Sequence, residues 1–164
     1  MSCKLKREFN ILFVFVFSVT GCNILDSGSE QPPKPVSATY EYWITGGFAG
    51  SVEHTVFDST GLAQLSYVHS PGSSASTYTY RMTGGEFDSL RSAFESADFF
   101  SLNSSYTATQ RIMDGFNHRI ACNFDSASKT VSVKANASIP AVLGSLLRVL
   151  NNLNTTIQSK GQKS

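Results

Sequence analysis

The chain has 164 residues, a formal net charge of +1 and three cysteines, and 41% of its residues are hydrophobic. That length supports one domain with a modest core. The near-neutral charge offers no basic stripe of the kind nucleic-acid binding requires, so no nucleic-acid partner is expected.

In chain order, the first segment is a processing signal. MSCKLKREFN sets Lys4, Lys6 and Arg7 against Glu8, and an apolar run from Ile11 to Val19 follows. A basic segment before a short apolar one is the pattern of a secretory signal peptide. The run is far shorter than the roughly 20 residues of a membrane-spanning helix. Val19-Thr20-Gly21-Cys22 comes next, an aliphatic residue and two small ones before a cysteine. This stretch resembles the lipobox of bacterial lipoproteins. The resemblance implies diacylglyceryl on the Cys22 thiol, cleavage before Cys22 and acylation of the new amine, with residues 1–21 as the signal peptide. An ordinary signal peptide with a chance cysteine, or a signal anchor, is the alternative. Each buried methylene contributes about 0.8 kcal/mol and one acyl chain alone holds only marginally, so two or three chains on Cys22 give a stable membrane anchor. Asn23 follows the cysteine. An Asp there tends to retain lipoproteins of enteric bacteria in the inner membrane. Asn therefore points to the outer membrane, with the domain in the periplasm or on the surface.

Cleavage leaves ten Lys/Arg against eleven Asp/Glu, a charge of about −1, and removes Cys3. With Cys22 lipidated, Cys122 is the one remaining thiol and no intramolecular disulfide is expected. Cys122 reads as a small buried hydrophobe. Residues 22–38 hold Pro32, Pro33 and Pro35 without hydrophobic periodicity, and read as a lipidated cysteine on a flexible tether. A single domain is expected over 39–158, with a polar tail at 159–164.

The domain begins with alternating, β-branched and aromatic stretches at 39–45, 51–57, 62–68 and 77–83, separated by turn-forming residues. In the second of these, Val52, His54 and Val56 share one face and Glu53, Thr55 and Phe57 the other. The period then changes: Phe87, Leu90, Phe94 and Ala97 recur at helical spacing. Thr83 and Glu86 precede them at the spacing of a capping box. Residues 103–115 read as an irregular loop. A hairpin is expected from 116–124 and 130–136. The last element starts near Ser138 with Pro140 in its first turn. Its apolar stripe is Ile139, Leu143, Leu146, Leu150, Leu153 and Ile157. The order ββββ-α-ββ-α argues an α+β fold, an antiparallel sheet with two helices on one face.

No catalytic constellation is visible. His54, His69 and His118 show no metal-ligand spacing, and no HExxH, Cys/His cluster or GxSxG elbow occurs. His54, between Val52 and Val56, reads as a core or edge histidine. Asp58, Asp114 and Asp125 sit at turns, where Asp bonds its own backbone. The chain is read as no enzyme, with no metal and no cofactor.

ITGGFAG, residues 44–50, is the one distinctive loop. A phosphate-binding glycine loop needs a helix after it, and here a strand follows. A hairpin turn explains Gly46, Gly47 and Gly50. It leaves Phe48 unexplained: either the ring tucks under its own hairpin as core, or it is an exposed contact group.

GGFAG after a first strand, a helix with the pattern Phe-x-x-Leu-x-x-x-Phe ending in ADFFSL, Asp114 before a later strand and the closing SIPAVLGSLLRVL look like the emfourin family. Those are small bacterial inhibitors of thermolysin-like zinc metallopeptidases, protealysin among them. The likeness covers roughly residues 40–153. The lipobox, the tether and a longer second-to-fourth-strand region depart from the family, and the chain is also similar to uncharacterised lipoprotein domains of the same element order. The resemblance implies an envelope domain that blocks a metallopeptidase cleft sterically, with Gly46, Gly47, Phe48, Ala49 and Gly50 as the contact loop. The alternative is a structural or assembly lipoprotein with another envelope partner and no inhibitory activity.

Overall fold

The alternation read from the sequence builds one sheet. The computed structural model describes residues 38–110, 112–124 and 127–164. The expected signal peptide (1–21), Cys22 and the tether up to residue 37 lie outside the described residues, as does Asp125.

The elements are β1 (Thr39–Gly46), β2 (Ser51–Phe57), β3 (Leu62–Val68), β4 (Ser76–Arg81), α1 (Gly84–Ser96), a 3-10 turn (Phe99–Ser101), β5 (Ser105–Tyr106), β6 (Phe116–Phe124), β7 (Ala127–Val133), α2 (Ala141–Lys160) and β8 (Gln162–Lys163). The fold is α+β, as expected. The sheet differs from expectation in two respects. It has eight strands rather than six, in the order β5-β7-β6-β1-β2-β3-β4-β8, and it is mixed, because β5 runs parallel to β7. Both additions are two-residue strands that satisfy sheet edges. β5 lies within the expected irregular loop, where Ser104 and Tyr106 carbonyls accept from Ser132 N and Lys134 N. β8 lies in the expected polar tail and covers part of the outer edge of β4. Neither is long enough to show an alternating pattern.

One face of the sheet carries the core. Tyr40 and Tyr42 of β1 stand beside Phe57 and Thr55 of β2, and beside Cys122 and Ile120 of β6. All six are buried, with Ala63, Leu65, Val131 and Val133 on the neighbouring strands. Both helices pack on this face. The Phe94 ring of α1 lies 4.6 Å from the Tyr40 ring. Asn151 of α2 accepts from the Tyr42 hydroxyl at 2.8 Å. The α2 stripe buries Leu143, Leu146, Leu147, Leu150, Leu153 and Ile157 as a helical period requires. The helix itself starts at Ala141, with Pro140 as its N-cap residue, so Ile139 precedes it. Residues before a proline are driven from the α region, which excludes Ile139 from a first turn.

The capping box of α1 is present. Thr83 Oγ1 accepts from Glu86 N at 3.3 Å, and Glu86 Oε2 accepts from Thr83 N at 2.8 Å. The Thr83 backbone bond is also the main reason the Glu86 carboxyl sits below its ordinary range.

The opposite face of the sheet carries Glu41, Trp43, Val52, His54, Val56 and Arg119, by the same registers. His54 is therefore no core residue. Its ring stacks on Trp43 at 4.4 Å, its Nε2 lies 3.2 Å from Glu41, and the Arg119 guanidinium stands 4.5 Å from the Trp43 ring. The core side of β2 is set instead by Phe57 and by Thr55, whose hydroxyl donates to Asn154 at 2.7 Å.

Candidate functional site

β1 runs from the first described residues at one end of the sheet to a cluster of loops at the other. The β1–β2 hairpin is paired up to Gly46 and Ser51. Residues 47–50 then turn tightly, closed by Gly50 N donating to Gly47 O at 3.1 Å. Ser51 Oγ donates to the Gly46 carbonyl at 3.2 Å.

Two glycines are required by close approach as well as by conformation. Gly46 (φ +129°) lies against the Gly115 carbonyl, leaving no room for a side chain. At Gly47 (φ +71°) a Cβ would stand 2.9 Å from the Phe116 ring. Both backbone angles are ones that side-chain-bearing residues rarely adopt. On the other flank, Pro71 of the β3–β4 loop packs against Gly50. Three loops thus meet at this end of the sheet: 47–50, 69–75 and 112–115.

The turn holds Phe48 outward, 95% exposed, with Ala49 exposed beside it. The reading of Phe48 as core beneath its own hairpin is overturned: the ring stands in solvent, and the Phe116 ring lies against Gly47 instead. The neighbouring loop adds Met113, 92% exposed, and Ile112, about half exposed, and Phe116 at the start of β6 is about half exposed too. Asp114 is exposed in the same loop. Among the five expected contact residues, only Phe48 presents a large apolar side chain. Gly46, Gly47 and Gly50 shape the turn. Met113 and Phe116 were not expected. The adjacent pair Ile112-Met113, standing apolar in an otherwise polar stretch, was the available signal.

The histidines elsewhere each pair with a different group, and no two of them share a partner. His69 pairs with the Tyr67 hydroxyl at 3.0 Å, and His118 with the Tyr42 hydroxyl at 2.8 Å. The Tyr42 proton is committed to Asn151, so His118 Nδ1 carries a hydrogen and donates to the Tyr42 oxygen. Burial lowers the His118 pKa. Cys122 is fully buried in β6 and its thiol is pushed up to about 12, which keeps it protonated at neutral pH. Among the described residues no cluster of three or more His, Cys, Asp or Glu is placed to hold a metal ion. Nor is any described helix long and apolar enough to cross a membrane.

No protein-family model matches the chain, and no curated protein matches it.

Proposed function

We propose that this is a lipid-anchored envelope domain that binds a protein partner through the loop end of its sheet, and that the partner is a thermolysin-like metallopeptidase whose cleft it blocks without covalent chemistry. The observation that carries the reading is Phe48, an aromatic ring almost wholly in solvent on a turn fixed from both sides. Exposing such a ring has no benefit for folding, whereas burying it in a partner contributes about 1.5–3 kcal/mol. Met113 and Phe116 extend the apolar surface, which matches the few-residue hot spots that dominate protein interfaces. The choice of a metallopeptidase rests on the resemblance of GGFAG, ADFFSL and the closing helix to emfourins. Membrane attachment rests on the lipobox at Cys22. A flexible tether would raise the local concentration of the domain near targets on the same membrane.

The test is a titration of the soluble segment Asn23–Ser164 into a thermolysin-like peptidase, following cleavage of a short quenched peptide. Saturable inhibition at stoichiometric to low-micromolar domain is expected. No inhibition across several such peptidases would remove the metallopeptidase reading and leave an envelope protein with another partner.

A further inference from the structure

The shape of the contact turn restricts how it enters a cleft. A peptidase cuts a segment that it holds extended across its subsites, with main-chain bonds along the strand. Residues 47–50 are closed on themselves by the Gly50–Gly47 bond and are flanked by the paired Gly46 and Ser51. Gly46 is also paired with Phe116 of β6, so the base of the turn is held on both sides. The Phe116 ring and Pro71 pack against Gly47 and Gly50. Extending this turn would break the hairpin end, the pairing to β6 and both ring contacts together. Only the side chains at its apex are free to enter a recess.

Resting on the inhibitory reading above, we propose that the turn is a plug and not a substrate mimic: Phe48 alone fills an apolar pocket of the peptidase cleft, Met113 rests on the rim, and the bonds of residues 46–51 are never presented for cleavage. The recess it fits is one that accepts a single large apolar side chain. The domain therefore competes with peptides carrying such a residue and leaves unaffected a substrate bound elsewhere. Gly46 and Gly47 act as positioning residues, since a side chain at Gly46 displaces Gly115 of the neighbouring loop and one at Gly47 displaces the Phe116 ring of β6.

The experiment uses the full chain in mild detergent with a thermolysin-like peptidase. Inhibition constants are measured for the natural sequence, Phe48→Ala, Phe48→Leu and Gly47→Ala, and the incubated chains are analysed by mass spectrometry. Phe48→Ala is expected to weaken inhibition by roughly 30-fold or more, the scale of a truncated hot spot. Phe48→Leu is expected to recover most of it. Gly47→Ala, strained at its positive φ and crowded against the Phe116 ring, is expected to weaken inhibition and lower the unfolding temperature while far-UV circular dichroism stays close to natural. The chain stays uncut through many turnovers of substrate. Inhibition by the natural chain that survives Phe48→Ala unchanged overturns the plug and leaves the inhibitory reading standing. Cleavage within residues 46–51 during inhibition does the same. A natural chain that inhibits no such peptidase overturns both.

Discussion

Asn154 shows how one polar residue fixes the register of a helix on a sheet. It lies in the apolar stripe of α2 and is buried, accepting from the Thr55 hydroxyl at 2.7 Å and donating to Glu53 at 3.2 Å. Asn154→Ala strands a fully buried hydroxyl, which costs about 1–3 kcal/mol, and chemical denaturation should read that loss. Asn154→Leu should not rescue it, because the Thr55 hydroxyl stays without a partner. Three residues earlier, Asn151 joins the Tyr42–His118 pair, and here pH enters. Burial holds the folded His118 pKa below the usual value of about 6.5. Between the two pKa values the unfolded chain binds more protons, so stability rises with pH there and is lost as pH falls below about 6.5. Unfolding free energies measured from about pH 7.5 down to 5 should fall for the natural chain, and His118→Gln should flatten that slope. These pairs also explain why the buried side of β2 was not legible. Val52 and Val56 look like core and stand on the opposite face, while Thr55 is buried on the core face, because its hydroxyl has a partner that only the folded α2 supplies.

At the scale of elements, period and punctuation were legible and short pieces were not. The 62–68 and 116–124 strands fall where their alternation places them, and α1 starts where Thr83 and Glu86 announce it. Thr83→Ala removes the hydroxyl half of the box and should cost about 0.5–2 kcal/mol, read as a lower denaturation midpoint with an unchanged slope. The 3-10 turn after α1 had no periodic signal. It is held by a charge from a distant strand: Lys129 of β7 donates to the Phe100 and Leu102 carbonyls. Side chains from elsewhere in the chain likewise decide the loop end of the sheet. GGFAG announces a glycine turn, but the rings that lock it come from positions 71 and 116, far along the chain. The exposed Met113 belongs to a loop that leads into β6 and is held through Gly115, which lies against Gly46 and Ala135.

For the whole molecule, the central fact is the direction of β1. It sits in the middle of the sheet, paired with β2 over Tyr40–Gly46 and with β6 over Thr39–Gly46. The described chain begins beside one end of this strand, and the 47–50 turn leaves the other. Eight residues at about 3.3 Å each separate the two by roughly 26 Å. A tension applied between residue 38 and Phe48 therefore travels along covalent bonds of a strand that is already near its full length. The ladders to β2 and β6 lie beside that line of force and not in series with it. A pull on the 47–50 turn against the residue-38 end would load one backbone and leave the core unstrained. In single-molecule stretching with handles at these two positions, the domain should behave as a short stiff rod up to the rupture of its outer attachments. A handle moved from the turn to β4 should restore the force peak of an unfolding sheet.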